Sequence, residues 1–495
     1  MDCGVDPAKA NFRGGLIVSA APDTSRVPLC VDLDGTLIHS DSLLESALLL
    51  LKKNPFWVFA FALWLLRGRA ALKAEIARRV ELNPAALPYN RELLGWLESE
   101  RASGRGLWLC TAANSSLAEA VAAHIGIFDG VIASDPQTNL AGDAKASRLV
   151  ERFGEHGFDY CGNERRDLRV WRHANGAIVT NAGPALERHA AAHTKVLRSF
   201  PPRASAMRAT FKAIRPHQWA KNALIFVPLL AAHTASHVQS LVNVALATVA
   251  FCLCASSVYI LNDLLDLEAD RAHPRKSRRP FAAGTLSIAT GLALVPALLG
   301  ISIVIAAFLP SKFQLVFATY YVVTVAYSFS LKGRVIVDAM TLAGLYTLRI
   351  IAGAAAAQVP LSFWLLLFSV FLFLSLAFVK RFAELDALRR QQRLRAAGRG
   401  YHVEDLPVLQ SLGTAAGYLS VLVLALYINS PAIEGLYRQP KVIWLLCVLM
   451  LYWISRVWMK AQRGEMHDDP VVFALKDRIS LVVGVLAVAT VIMAV

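Results

Sequence analysis

Two hydrophobic patterns divide the chain. From Val27 to about Ala190, short apolar runs (Val27–Val31, Gly106–Cys110, Gly130–Ala133, Phe158–Cys161, Ala177–Thr180) alternate with longer mixed stretches. Short buried strands separated by helical segments predict a parallel α/β sheet. Residues 42–100 interrupt the alternation between the first two strands and read as a mostly helical insert. Within it, Phe56–Leu66 is apolar but too short to span a bilayer. That run either rests on a membrane surface or packs within the insert, and packing is the expectation.

Beyond residue 221 the apolar runs lengthen. Nine spans are expected, at about 222–236, 241–261, 286–308, 313–329, 335–356, 361–379, 411–429, 441–459 and 479–495. The first is the weakest, interrupted by Pro228 and His233. The resulting division is a leader (1–26), an α/β domain (27–195), a basic connector (196–221) and an all-α membrane domain (222–495).

Composition supports the membrane reading. Of 495 residues, 56% are hydrophobic, and the mean hydropathy is +0.46. The net charge of +15 raises the question of nucleic acid, but no basic-aromatic stripe or nucleic-acid fold motif accompanies it. The cations instead crowd into alternate loops. Loops 262–285, 330–334, 380–405 and 456–478 hold nineteen Lys and Arg, whereas the intervening loops hold Lys312, Arg438 and Lys441. The positive side is expected to be cytoplasmic. This places the N-terminal domain and the acidic clusters in the cytosol of a cell whose inner membrane holds the protein. Seven cysteines lack metal-ligand spacing and read as buried small hydrophobes in a reducing compartment. The Met-Asp-Cys-Gly start lacks the basic and apolar regions of a signal peptide.

The candidate chemistry begins where the 241–261 run ends. Asn262, Asp266 and Asp270 are spaced i, i+4, i+8, with Asp263 three residues before Asp266. On a helix continuing out of the membrane these share one face. Such a set of hard oxygens suits Mg²⁺, which leaves positions open for substrate phosphates. The basic stretch His273–Pro280 follows directly. Asp338 and Arg349 lie inside the 335–356 run, where a lone charge costs a few kcal/mol or more. Eleven residues apart, they are expected to share a face, where they either meet a ligand or form ion pairs. Tyr327 and Lys332 close the preceding span, as site residues or as interfacial anchors.

The Asn262-Asp263-x-x-Asp266-x-x-x-Asp270 motif and the nine-span layout resemble the UbiA intramembrane prenyltransferase superfamily over roughly residues 205–495. Most members carry a second acidic motif in the loop after the sixth helix; here that loop reads Lys380-Arg-Phe-Ala-Glu384-Leu-Asp386. Arg215-Pro-His-Gln-Trp-Ala-Lys221-Asn222, the His273–Pro280 block and the Tyr327…Asp338 pair look like the decaprenyl-phosphate phosphoribosyltransferase branch. That resemblance implies phosphoribosyl diphosphate as donor and a polyprenyl phosphate lipid as acceptor. It also implies Mg²⁺ on Asn262, Asp263, Asp266 and Asp270, with Asp266 and Asp338 as catalytic candidates. Lys221, Asn222, Lys276, Arg279, Tyr327, Lys332 and Arg349 are the expected substrate contacts. The competing readings are prenyl transfer from a diphosphate to an aromatic ring, and a transporter. The one-sided charge clustering argues against the transporter.

In the N-terminal half, Asp32-Leu-Asp34-Gly-Thr36 closes the first apolar strand. This DxDGT sequence resembles motif one of the haloacid-dehalogenase (HAD) phosphatases, which share a Rossmann-like α/β fold with a helical cap. The resemblance implies a nucleophilic Asp32 and an acid/base Asp34. It also implies a phosphate-binding Thr111, a charge-neutralising Lys145, a cap at residues 42–100, and Mg²⁺ held by Asp32, Asn163 and Asp167. The fourth motif departs from Gly-Asp-x-x-x-Asp, reading Gly162-Asn163-Glu-Arg-Arg-Asp167. Two readings stay open: an active phosphatase that removes the 5-phosphate of the transferase product, and a degenerate docking domain. Prenyl chain length and oligomeric state are not legible in the sequence.

Overall fold

The computed structural model describes residues 27–135, 138–202, 205–232, 237–392, 400–431, 437–466 and 469–494. The expected leader, 1–26, and His233 lie outside them. The chain divides into two compact units: one within Met1–Leu50 and Phe56–Arg203, the other within Ala204–Val495 with Leu51–Pro55.

The first unit is built on a parallel sheet of six strands, ordered β3-β2-β1-β4-β5-β6. They are β1 (Leu29–Val31), β2 (Leu107–Asn114), β3 (Gly130–Ser134), β4 (Asp159–Gly162), β5 (Gly176–Thr180) and β6 (Lys195–Phe200). Every residue of β1, β4 and β5 is buried, as a sheet covered on both faces requires. Strand β6 comes from the stretch read as connector. It is an edge strand with exposed Lys195 and Arg198, so its sequence lacks the apolar run that marks the others. The insert holds helices α1 (Ser42–Lys53), α2 (Trp57–Leu66), α3 (Arg69–Ala77) and α4 (Arg91–Ala102). Helices α5 (Ser115–Ile125), α6 (Asp143–Phe153), α7 (Leu168–Trp171) and α8 (Pro184–Ala191) complete the unit.

The second unit is helical. Helix α9 (Ala206–Ile214), a 3₁₀ segment (Pro216–Phe226) and α10 (Val227–Ala231) lead into α11 (Val238–Leu265) and α12 (Leu267–Arg271). Then come α13 (Ile288–Ala307), α14 (Ser311–Phe329), α15 (Val337–Ala357), α16 (Phe363–Arg390) and α17 (Leu406–Ile428), followed by α18 (Trp444–Gln462), α19 (Pro470–Lys476) and α20 (Arg478–Ala494). Among the described residues six helices are long and apolar enough to cross a bilayer, or seven if the bent pair α19–α20 is one span. The expected nine shrink for physical reasons. Residues 222–231 fall in the 3₁₀ segment and the five-residue α10, while α14 is diluted by Lys312, Gln314, Thr319 and three tyrosines. The pair α19–α20 bends by 80°.

Small residues set the close helix approaches. A Cβ on Gly353 of α15 would stand 2.0 Å from the Ile225 carbonyl oxygen, and one on Gly413 of α17 would stand 2.2 Å from Trp458. The first contact brings the 3₁₀ segment, and with it Lys221 and Asn222, onto α15.

Candidate active sites

In the first unit, parallel strands deliver their carboxyl ends to one edge, where such folds bind ligands. Asp32 and Asp34 follow β1, Thr111 lies in β2, and Asn163 and Asp167 follow β4. Lys145, from α6, places its ammonium 3.0 Å from Asp32 Oδ1 and 2.8 Å from the Tyr160 hydroxyl. That hydroxyl donates to Asp167 Oδ1 at 3.3 Å, and the Asn163 and Glu164 amides donate to Asp167 Oδ2 at 2.9 and 2.8 Å. Thr111 is buried, its hydroxyl accepting the Ala113 amide at 3.0 Å. Asn163 sits against Gly35, which has φ +71°; a Cβ there would come within 2.1 Å of the Asn163 amide nitrogen. Thr36 Oγ1 donates to Asn163 Oδ1 at 3.1 Å.

The electrostatics separate the carboxyl groups. Asp34 accepts the Ser42 amide at 2.8 Å and the Ser42 hydroxyl at 3.1 Å. Burial, reinforced by Asp41 and Asp32, pushes its pKa up to about 7 despite those bonds. Burial and then the Asp32 charge raise Asp167 to about 6, against the pull of Lys145 and two backbone amides. Burial alone would lower Lys145, but Asp32 and Asp167 outweigh it and the ammonium is held above its ordinary value. An acid near neutrality beside a cation-paired carboxylate is an arrangement suited to phosphomonoester chemistry. The Asp32 and Asp167 carboxylates, joined by the Asn163 amide oxygen, also form a hard-oxygen donor set that fits Mg²⁺. A cavity of about 340 Å³ opens beside Asp34, lined by Ser42, Leu43, Lys73, Ile76 and Leu117 among others.

In the second unit the acidic motif departs from the expected continuous helix. Helix α11 stops at Leu265, and Asp266 has φ −107° and ψ 20° before α12 begins. On a straight helix Asp263 and Asp270 would stand about 10 Å apart along the axis. The bend instead aims both at one guanidinium nitrogen: Arg279 Nη1 lies 3.0 Å from Asp263 Oδ1 and 2.6 Å from Asp270 Oδ2. Arg215 adds a second cation to Asp263 at 2.5 and 2.7 Å. Asp266 turns away to Lys332 at 3.0 Å. Among the described residues no three His, Cys, Asp or Glu side chains gather as one ligating group. The convergence of Asp263 and Asp270 on a single positive charge nevertheless gives this donor set the chemistry that Mg²⁺ takes. Burial and the neighbouring Asp263 raise the Asp270 carboxyl, although Arg279 opposes them.

Asp338 and Arg349 share no pair. Asp338 is wholly buried, receives the Tyr327 hydroxyl at 2.7 Å and Arg381 Nη2 at 3.0 Å on Oδ1, and pairs through Oδ2 with Arg381 Nε. Arg381 also donates to the Tyr327 hydroxyl at 3.0 Å, so α14, α15 and α16 are pinned at one point. Arg349 donates to three neutral oxygens: Asn222 Oδ1 at 2.8 Å, the Leu345 carbonyl at 2.6 Å and the Tyr320 hydroxyl at 3.0 Å. Lys276 lies half-buried in a short 3₁₀ turn three residues before Arg279, which turns toward the carboxylates.

Sequence reasoning passed over Asp469, Lys380, Arg381 and Arg215 as site groups. Asp469 caps α19, is nearly buried, and gathers Lys221 at 2.8 Å, Lys380 at 2.9 Å and the Tyr346 hydroxyl at 3.0 Å. Burial would raise its carboxyl, but the two ammonium groups hold it far below the usual carboxylate range. Its one legible signal was an Asp before Pro at a helix start, an ordinary cap. Arg215, Lys221, Arg279, Lys332 and Lys380 thus pair with Asp263, Asp266, Asp270 and Asp469. With Arg349 added, positive charge is in excess among these groups.

The fold and these charge clusters define an integral-membrane transferase fused to a HAD hydrolase-like domain. Residues 223–482 match the UbiA prenyltransferase family model, and residues 29–172 match the haloacid dehalogenase-like hydrolase model. The chain belongs to the UbiA prenyltransferase family. It is 36% identical over 481 residues to the "Uncharacterized protein y4nM" of Sinorhizobium fredii, covering 95% of this chain and 91% of that one. To the decaprenyl-phosphate phosphoribosyltransferase of Mycolicibacterium smegmatis it is 41% identical over 183 residues, covering 36% of this chain and 58% of that one. The solved structure of a UbiA homolog from Archaeoglobus fulgidus bound to GPP and Mg²⁺ aligns with a TM-score of 0.45 at 16% identity, covering 58% of this chain and 98% of that one.

Proposed function

We propose that the membrane domain transfers 5-phosphoribose from phosphoribosyl diphosphate to a polyprenyl phosphate, and that the HAD domain then removes the 5-phosphate. The reaction takes place on the cytoplasmic face. The observation that carries the first step is the excess of cations around a small carboxylate set. Donor diphosphate, donor 5-phosphate and acceptor phosphate bring three anionic groups, whereas prenyl transfer to a neutral aromatic ring brings one. The similarity to the Mycolicibacterium phosphoribosyltransferase supports the same choice.

Asp263, Asp266 and Asp270, with Asn262 beside them, would hold Mg²⁺, which supplies Lewis-acid neutralisation of the diphosphate when bound. Arg279, which bridges Asp263 and Asp270, would meet phosphate beside that site. Lys332, Lys276 and Lys221 hold further phosphate oxygens by charge-assisted hydrogen bonds, Lys221 being positioned by Asp469. The C1–oxygen bond of the ribose breaks with its electron pair on the diphosphate, and a lipid phosphate oxygen forms the new bond to C1. That oxygen is already anionic and needs no strong base.

In the HAD domain, an Asp32 oxygen attacks the 5-phosphorus, and Asp34 gives its proton to the departing ribose hydroxyl. Asp34 then takes a proton from water, which attacks the aspartyl-phosphate, releases inorganic phosphate and restores Asp32. Asp32, Asn163 and Asp167 would hold the Mg²⁺ of this site, which supplies charge neutralisation at phosphorus.

The test is mass spectrometry of lipids after adding polyprenyl phosphate, labelled phosphoribosyl diphosphate and Mg²⁺ to the purified protein. A product bearing labelled ribose without its 5-phosphate is expected, and Asp266→Asn, still folded, yields none. Prenyl transfer to an aromatic acceptor, with no labelled lipid, sinks the proposal.

A further inference from the structure

Helix α2 reads Trp-Val-Phe-Ala-Phe-Ala-Leu-Trp-Leu-Leu, ten residues without one charged side chain or hydroxyl. One side is accounted for. Trp64 is buried, and Trp57, Ala60 and Phe61 pack with Leu50, Ile76 and Val80. The opposite side does not pack inward as the sequence suggests. Val58, Phe59, Leu63, Leu65 and Leu66 are exposed, Phe59 by 70%, Leu63 by 63% and Leu66 by 85%.

Ten residues reach about 15 Å, half the hydrocarbon thickness, so α2 cannot cross a bilayer. Its chemistry fits a bilayer surface. Aromatic and aliphatic side chains end at an exposed cation, Arg67. Such a segment sinks its apolar side into the headgroup–acyl boundary while the cation at its end meets anionic headgroups. A bilayer is always near at hand, because the same chain continues into membrane-crossing helices.

We propose that α2 docks in the interface of an anionic membrane, so that the cap presents its cavity to phosphomonoesters carried on lipids. The link to the cavity is direct. Ile76 and Val80 contact the α2 cluster and also line the 340 Å³ cavity beside Asp34. Leu43 and Ser46 of α1 complete that wall. The docking stands apart from the phosphatase reading; the lipid-borne substrate class rests on it.

The experiment uses full-length protein in nanodiscs of phosphatidylglycerol and phosphatidylcholine. Phe59→Cys carries an environment-sensitive fluorophore, and Glu98→Cys, on exposed α4, serves as control. Blue-shifted emission quenched by spin-labelled lipid is expected at position 59 only, and more weakly in pure phosphatidylcholine. The double variant Phe59→Asp/Leu63→Asp is expected to lose about tenfold in phosphate release from ribosyl 5-phosphate lipid, while hydrolysing p-nitrophenyl phosphate at the unchanged rate. A water-like emission at position 59, or shielding from lipid quenchers by another protein segment, overturns the docking. Quenching with no loss on either substrate, or with the same loss on both, overturns the lipid-presenting role. Wild-type protein inert toward both phosphomonoesters overturns the phosphatase reading alone, because the quenching measurement still decides the docking.

Discussion

Replacing Arg381 by Met tests whether Asp338 locks helices or meets substrate. In the structure both side chains are buried, and the Asp338 carboxylate meets the Arg381 guanidinium and the Tyr327 hydroxyl. Arg381→Met leaves a carboxylate in an apolar bundle with one hydroxyl at 2.7 Å. Breaking a buried pair by removing one partner costs about 3–5 kcal/mol. Asp338→Asn costs less, because the guanidinium keeps Glu384 at 2.6 Å and the Tyr327 hydroxyl at 3.0 Å. The double variant Asp338→Asn/Arg381→Met removes both charges and leaves the Asn amide facing Tyr327. It is expected to regain at least about 2 kcal/mol relative to the sum of the singles, a coupling typical of contacting residues. Unfolding midpoints from denaturant titration in mixed micelles measure this cycle, alongside transferase activity for each variant. Additive losses would refute the lock. A double variant that is stable yet inactive would instead give Asp338 a direct part in the reaction.

Other outcomes follow from single contacts. Asp469→Asn is expected to release Lys221 and Lys380, raising the KM for phosphoribosyl diphosphate by about tenfold or more with a smaller change in kcat, which steady-state kinetics will show. Asp34, with its pKa raised to about 7, is protonated below that pH and loses its proton above it. Release of a sugar alkoxide is therefore expected to fall above pH about 7, whereas p-nitrophenolate, which needs no proton, shows no such limb at the first step. Gly353→Ala drives a methyl group to 2.0 Å from the Ile225 carbonyl oxygen. It is expected to cost about 1–3 kcal/mol and to weaken transfer by displacing Asn222 from Arg349, both visible in a thermal melt with activity readout.

The sequence by itself determined the class of each half. Short all-buried strands with Asp32 and Asp34 at a strand end read as they fold, because strand period and DxDGT are local. Long apolar runs broken by an acidic motif likewise identified the membrane transferase, since bilayer crossing is a property of contiguous residues. The tertiary structure decided which charges meet. Asp263 and Asp270 converge through a bend at Asp266 that helical periodicity does not contain. Arg381 and Asp469 find their partners 43 and 248 residues away, at Asp338 and Lys221. Strand β6 and the short, broken entry to the membrane domain were hidden for the same reason. Each depends on a neighbour supplied by a remote part of the chain: strand β5 for the first, the close face of Gly353 for the second. Periodicity reports what one segment prefers, and a charge cluster is fixed only when several segments are brought to one place.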